Sequence, residues 1–398
     1  MIRPIHPFPA RMAPELAWEE LPENDRPLRV LDPMAGSGTT IVAARLRGHE
    51  AVGFDRDPLA VLIASTWVAD IETERFTKKA SEVLERAERR SAKLSAKCAF
   101  PDGADDETKE FIRYWFDIDN RKQLTALATS IAAVRDESLR NVLWCAFSRL
   151  IITKEAGVSL ATDVSHSRPH RSFDNAPHLA FEHFLRAVQH IVKAAPFRAQ
   201  ADAQPAASVR NADARNLPLT DGSIDLIITS PPYLNAIDYL RGHKLSLVWM
   251  GHSVASLRML RSTNVGTEKS AKVSDVEPAT ESVMARMCSG EPLERRHQGM
   301  LRQYVRDLRL LLGECHRVLA NDGKGVFVVG DCNLRKTFVA NSTAIELISS
   351  EVGFQVAASR RRPLPENRRY LPPPEKRGAG SALSKRMREE VILTLVKA

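Results

Sequence analysis

The sequence predicts an α/β fold: a mostly parallel, Rossmann-like sheet, closed by a C-terminal antiparallel strand pair and split by a large helical insertion. Three observations carry the prediction. Residues 28–32 form an apolar run ending in an acid, Gly36-Ser37-Gly38 follows, 39–46 reads as a helix, and 51–55 is a second strand ending in an acid. Strand, glycine turn, helix, strand is how a parallel sheet opens. Strand patterns then return at 207–213, 223–229 and 325–330. The chain closes on two further strands, 353–360 and 391–397, separated by a basic stretch rich in Pro and Gly.

Between these sheet segments the period changes. Residues 78–97 are charged and amphipathic, and 121–153 and 179–194 repeat with helical spacing. Pro58 suits the first turn of the helix after the second strand. Stretches 101–106 and 165–177 read as loops, and 299–320 and 339–351 as helices. Segment 251–298 is polar with no strong period, so it is either a mobile loop or a helical insertion. The expected organisation is a first part of the sheet domain at 1–69, a helical insertion at 70–200 and a second part at 201–398. The insertion exceeds an ordinary crossover.

The chain has 398 residues, 43% hydrophobic and 27% charged, with no apolar run that would span a bilayer. The N-terminal residues lack the apolar core of a signal peptide, which leads to a cytoplasmic expectation. Five scattered cysteines without paired ligand spacing read as reduced thiols and give no metal site. A formal net charge of +8 favours a polyanionic partner. Ten Arg and Lys residues within 360–388 suit phosphate contacts, or a solvated loop. His166, Arg168, His170 and Arg171 form a second basic loop with the same two readings. Trp115, Phe116 and Trp144 read as core.

A Gly-x-Gly turn between strand and helix lets a ligand approach the backbone closely, at a helix N-terminus. Asp55, 19 residues after Gly36, is positioned to accept ribose hydroxyls, or else it is a plain strand-end acid. Asp57 reads as a helix cap. No Gly-Lys-Ser/Thr follows the glycines, so the turn is not a P-loop. An adenosine-bearing cofactor without phosphates fits best, and S-adenosyl-L-methionine is such a molecule. Asp213, at the end of the third strand, would then accept from the adenine amino group, or sit in a surface turn.

Thr229-Ser230-Pro231-Pro232-Tyr233 ends the strand at 223–229 in a rigid corner, because two prolines stop the ladder and fix the backbone. Methyl transfer to an exocyclic amine asks mainly for orientation of the nitrogen lone pair, with polar acceptors on the amino hydrogens. Ser230 and a backbone carbonyl suit that task, and Tyr233 suits stacking on an extruded base.

Asp32-Pro33-Met34-Ala35-Gly36-Ser37-Gly38-Thr39-Thr40 resembles the cofactor motif of amino-group DNA methyltransferases. Thr229–Tyr233 is similar to their Ser/Asp/Asn-Pro-Pro-aromatic catalytic motif, and residues 6–16 to the segment that completes the methionine end of their cofactor pocket. The resemblance covers 1–60, 207–250 and the last two strands. It implies a methyltransferase sheet and S-adenosyl-L-methionine held by Phe8, Pro9, Arg11, Asp32, Met34, Gly36, Gly38 and Thr39. It further implies Ser230, Pro231, Pro232 and Tyr233 at the catalytic corner, and Arg368, Arg369 and Tyr370 in a substrate-side hairpin loop on duplex DNA. Met34 stands where the family usually has Phe, and the motif order is permuted relative to the commonest members, so the target-recognition region does not transfer by position. Ser230 leans toward cytosine N4 over adenine N6. Cytosine C5 chemistry is excluded, since no cysteine follows a proline. A tRNA guanine-N2 methyltransferase and an inactive DNA-binding subunit are the alternatives. The resemblance leaves open the oligomeric state and whether a cognate restriction nuclease accompanies the chain.

Overall fold

The computed structural model describes residues 2–8, 11–23, 26–195, 205–234, 238–266, 277–334, 337–364 and 389–398. Seven strands make the main sheet: β1 (Arg29–Asp32), β2 (Glu50–Asp55), β3 (Ala207–Asn211), β4 (Ile224–Thr229), β5 (Leu319–Val329), β6 (Phe354–Pro363) and β7 (Glu389–Lys397). Their spatial order is β6-β7-β5-β4-β1-β2-β3. The β4–β1, β1–β2, β2–β3 and β4–β5 ladders are parallel, and β7 runs antiparallel between β5 and β6. The predicted sheet and its antiparallel closing pair are therefore present. The chain starts in the middle, builds outward through β2 and β3, then returns to lay β4 on the other side of β1.

Thirteen helices are described: α1 (Pro14–Glu20), α2 (Thr39–Leu46), α3 (Pro58–Trp67), α4 (Thr73–Ser91), α5 (Asp106–Trp115), α6 (Ile118–Ala132), α7 (Glu137–Ile151), α8 (Ala180–Ala194), α9 (Tyr239–Leu247), α10 (Val254–Ser262), α11 (Pro278–Met287), α12 (Arg295–Val318) and α13 (Asn341–Glu351). The periodic stretch 121–153 is two helices. Asp136 ends the pause between them by accepting from Leu139 N at 3.0 Å, a side-chain cap for the new N-terminus. Segment 251–298 holds α10, α11 and a short strand, Cys288–Gly290, so its helical reading is the one realised among the described residues.

Alternate strand residues enter opposite cores, as the two-residue period requires. Val30, Ile228, Val326 and Val328 join one cluster, while Leu31, Ile227, Phe327 and Val329 join the other. The first cluster runs without interruption from the sheet through α1, α2 and α3 into α4, α6, α7 and α8. In α4, Phe76, Ala80, Val83 and Ala87 supply its buried stripe at helical spacing. The helical insertion is thus an extension of one face's core. Phe116 is buried there, and Trp115 and Trp144 pack against it half-buried, which is the core reading of these aromatics. The second cluster is roofed by α11, α12 and α13. Among the described residues no helix is long and apolar enough to cross a membrane.

Candidate functional site

In an open α/β sheet a ligand cleft forms at the carboxyl ends of the strands, where the chain reverses its direction of strand addition. Here that switch lies between β1 and β4. β1 ends at Asp32 and leads into the glycine turn, and β4 ends at Thr229 and leads into the proline corner. The two ends are bonded to each other: Thr229 Oγ1 donates to Asp32 Oδ1 at 2.7 Å, across 197 residues of sequence. Thr40 Oγ1, on the first turn of α2, donates to Ile228 O at 3.2 Å. Sequence motifs far apart therefore share one buried seam.

Asp32 is spent on that seam. It is buried, accepts from Thr229 and from Met34 N (3.2 Å), and desolvation raises its pKa to about 6 against the pull of those hydrogen bonds. Its part is to position the turn. Gly36 and Gly38 adopt φ of +50° and +85°. A Cβ on Gly38 would lie 2.7 Å from Ala64 Cβ and 2.9 Å from Ala64 Cα, in the neighbouring helix α3. Left-handed backbone and overpacking each cost an L-residue on the order of 1–3 kcal/mol. Gly38→Ala is therefore expected to lower unfolding free energy by about 2–5 kcal/mol, read as a lower urea midpoint; an unmoved midpoint would contradict the close helix approach.

Asp55 closes the cleft from β2. Its Oδ2 accepts from Gly36 N at 2.9 Å and its Oδ1 from Asp57 N at 2.9 Å. A carboxylate has about four lone-pair positions, so each oxygen keeps capacity for a ligand hydroxyl. Burial, and then the nearby Asp57 and Asp32 charges, push its pKa up to about 7 in spite of those two backbone donors. Asp57 caps α3, as expected, by accepting from Leu59 N at 2.9 Å. Thr39 Oγ1, at the start of α2, is buried without a hydrogen-bond partner among the described residues. Met34 packs half-buried against the second core.

The N-terminal segment lies against the glycine turn. A Cβ on Gly36 would stand 3.5 Å from Phe8 Cε1, and Phe8 stacks on Tyr239 with ring centroids 5.3 Å apart. The Arg11 guanidinium lies over Trp67 of α3, 5.8 Å from the ring centre. Pro9, Arg368, Arg369 and Tyr370 fall outside the described residues, as does most of the basic cluster they belong to. Of its described members, Arg360 pairs with Glu20 and Arg361 with Glu389 at 3.4 Å, so these two face carboxylates.

Asp213 is differently engaged than a ligand acceptor would be. Arg215 N, Nε and Nη2 donate to it at 3.0, 2.9 and 2.7 Å, and Arg56 Nη1 lies 3.1 Å from Oδ2. Burial works against its charge, but the Arg215 bonds prevail and hold its carboxyl below the usual range. Four donors meet its four lone-pair positions, so a further donor has to share or displace one. Arg215 in turn reaches the buried Asp307 of α12 at 2.6 Å.

At the corner itself Pro231 and Leu234 are buried while Ser230, Pro232 and Tyr233 are half-buried, and Tyr233 packs against the second core. Cys332 Sγ donates to Leu234 O at 3.4 Å, and a Cβ on Gly266 would stand 3.2 Å from Tyr233 O. The chain leaves the corner into α9. There His243 Nδ1 donates to Asp57 Oδ2 at 2.5 Å, both groups buried. This link from the exit helix to the cap of α3 had no sequence signal, since neither residue sits in a motif that names the other.

Fold and site together define an α/β protein whose glycine turn and Ser-Pro-Pro-Tyr corner follow the ends of two neighbouring parallel strands. No family model matches the chain. It is 24% identical over 375 residues to the type II methyltransferase M.MvaI of Kocuria varians, covering 87% of this chain and 80% of that one. It is 26% identical to M.AvaI of Nostoc sp. (82% and 73% covered) and 22% identical to M.BsoBI of Geobacillus stearothermophilus (58% and 49%). The chain is thus similar over most of its length to type II methyltransferases. Among solved structures, a SAM-dependent methyltransferase from Methanosarcina mazei superposes with a TM-score of 0.34 at 9% identity, covering 97% of this chain and 98% of that one.

Proposed function

We propose that the protein is a DNA methyltransferase that moves a methyl group from S-adenosyl-L-methionine to the exocyclic N4 of cytosine in duplex DNA. The observation that carries the reading is the Thr229–Asp32 bond, which sets the glycine turn and the proline corner side by side at the switch point. The residues present fit the cofactor. Asp55 keeps acceptor capacity for ribose hydroxyls beside the glycine turn, and Thr39 Oγ1 is an orphaned buried polar atom at the helix start. Phe8 adds an aromatic wall over Gly36.

When bound, the cofactor supplies an electrophilic methyl group on a positively charged sulfur. Ser230 Oγ and a carbonyl of the corner accept the two amino hydrogens and so turn the nitrogen lone pair toward the incoming carbon. Tyr233 stacks on the extruded ring, and Pro231 and Pro232 hold both groups with little entropy left to lose. The surplus proton on the methylated nitrogen leaves to solvent, since the chemistry places little demand on an acid or base. Cytosine N4, in preference to adenine N6, rests on Ser230 in the first position of the corner. The similarity to type II methyltransferases supports the coarser reading, a methyltransferase acting on DNA.

Expression in a host lacking DNA methylation, followed by sequencing that separates N4-methylcytosine from N6-methyladenine, tests this reading. Methyl groups on N4 of cytosine within one short sequence are expected. Methylation of adenine overturns the base assignment, and unmodified DNA with intact cofactor binding overturns the enzyme.

A further inference from the structure

We propose that the turn formed by residues 161–172 grips the DNA backbone beside the catalytic corner. The inference rests on the reading of the protein as a DNA methyltransferase and adds the surface that holds its substrate. Ala161–Thr162 and His170–Arg171 pair antiparallel, with Ala161 opposite Arg171 and Thr162 opposite His170. The loop between them contains two non-glycine residues in left-handed backbone, Asp163 (φ 57°) and Ser167 (φ 56°), which are the two such residues described. Each costs roughly 1–2 kcal/mol, and such strain persists only where surrounding contacts over-determine it.

Those contacts lead to α9, the helix that follows the catalytic corner in sequence. Ser167 Oγ donates to Tyr239 O at 3.2 Å, on the first residue of α9, six positions after Tyr233. Val164, Ser165 and Ser167 are buried, and Ser165 N donates to Thr153 O at 3.1 Å. A Cβ on Gly242 of α9 would lie 2.5 Å from Val164 O, so the helix carries glycine where the turn docks. The inner side of the turn is therefore locked onto the helix that leaves the corner.

The outer side is basic. His166, Arg168, His170 and Arg171 are all exposed, against one acidic neighbour on the turn, Asp163, whose carboxylate stands 3.9 Å from His166 Nδ1. The Arg171 guanidinium lies over the ring of Tyr114, 5.1 Å from its centre, and Tyr114 is itself 50% exposed. A stiff turn carrying two guanidiniums, one of them over a tyrosine of α5, suits phosphate oxygens, and contacts of that kind set register without reading sequence. A flexible solvated loop has no use for two strained residues. A rigid clamp does, because a base extruded next to Tyr233 stays in place only while the flanking backbone is held.

The test measures binding of a short fluorescent duplex of mixed sequence by full-length wild type and by the R168A/R171A and R168K/R171K variants, across a salt series. Cofactor binding and thermal unfolding are measured alongside. With each phosphate contact contributing a slope of about −0.9, R168A/R171A should flatten the dependence of log K on log salt by about 2 and weaken binding roughly 10-fold or more at low salt. The double lysine variant should keep most of the slope, and neither variant should alter cofactor binding or the melting temperature. An R168A/R171A protein with wild-type affinity and slope overturns the clamp while leaving the methyltransferase reading intact. A wild type that binds the cofactor and no duplex overturns both.

Discussion

Tyr233→Ala should lower methylation of duplex DNA by about 10- to 100-fold, since stacking of a base on an aromatic ring is worth roughly 1–3 kcal/mol. Cofactor binding should remain near wild type, because the residues around the glycine turn do not include this side chain. The geometry favours a clean result. Pro231 and Leu234 are buried on either side of the half-buried Pro232 and Tyr233, and Cys332 Sγ holds Leu234 O, so the backbone keeps its course when the ring is removed. Tyr233→Phe keeps the stacking face and should recover most of the rate. Steady-state methylation of duplex substrate alongside equilibrium cofactor binding separates the two effects. Turnover unchanged in the alanine variant would remove Tyr233 from the base.

Asp55→Ala should weaken S-adenosyl-L-methionine binding by about 100-fold. Two charge-assisted hydrogen bonds to ribose hydroxyls, at roughly 1.5 kcal/mol each, set that figure. The variant also frees Gly36 N, so part of the loss would come from a looser turn. The same carboxylate makes binding depend on pH. Its pKa is raised to about 7 in the free protein, and hydroxyl donors favour the ionised form. Affinity should therefore rise as pH climbs toward 7 and level off above it, with a proton released on binding below that point. Calorimetry in buffers of different ionisation enthalpy reads the proton directly. A dissociation constant that is the same at pH 6 and pH 8, or the same in Asp55→Ala, would take Asp55 out of the ribose site.

Much of the fold was legible because its signals are local. The glycine turn, the acids closing β1 and β2, and the proline corner each occupy a few consecutive residues whose backbone demands differ from those of ordinary strand or helix. The strand set was legible for the same reason, since buried parallel strands read as short apolar runs. What escaped was the side-chain pairing across the chain. Asp213 is the expected kind of residue at the expected place, yet Arg215 and Arg56 surround its carboxylate, and only one of those arginines is near it in sequence. The Asp57–His243 bond joins a residue that local spacing marks as a helix cap to one that no local pattern singles out. The insertion was readable as helical, but its fusion with the core of one sheet face depends on which stripe of each helix meets which neighbour.

The central ladder of the sheet also has a kinetic meaning. β1 and β4 are neighbours in space, and the Thr229–Asp32 bond between them spans 197 residues. Closing so long a loop is entropically slow, and contacts at large sequence separation delay folding. The helices α4–α8, whose contacts with one another are nearer in sequence, can collapse first and bring the two strand ends together. The cleft would then be among the last parts of the molecule to assemble. A nascent chain that has already made its glycine turn still lacks the opposing wall until β4 emerges.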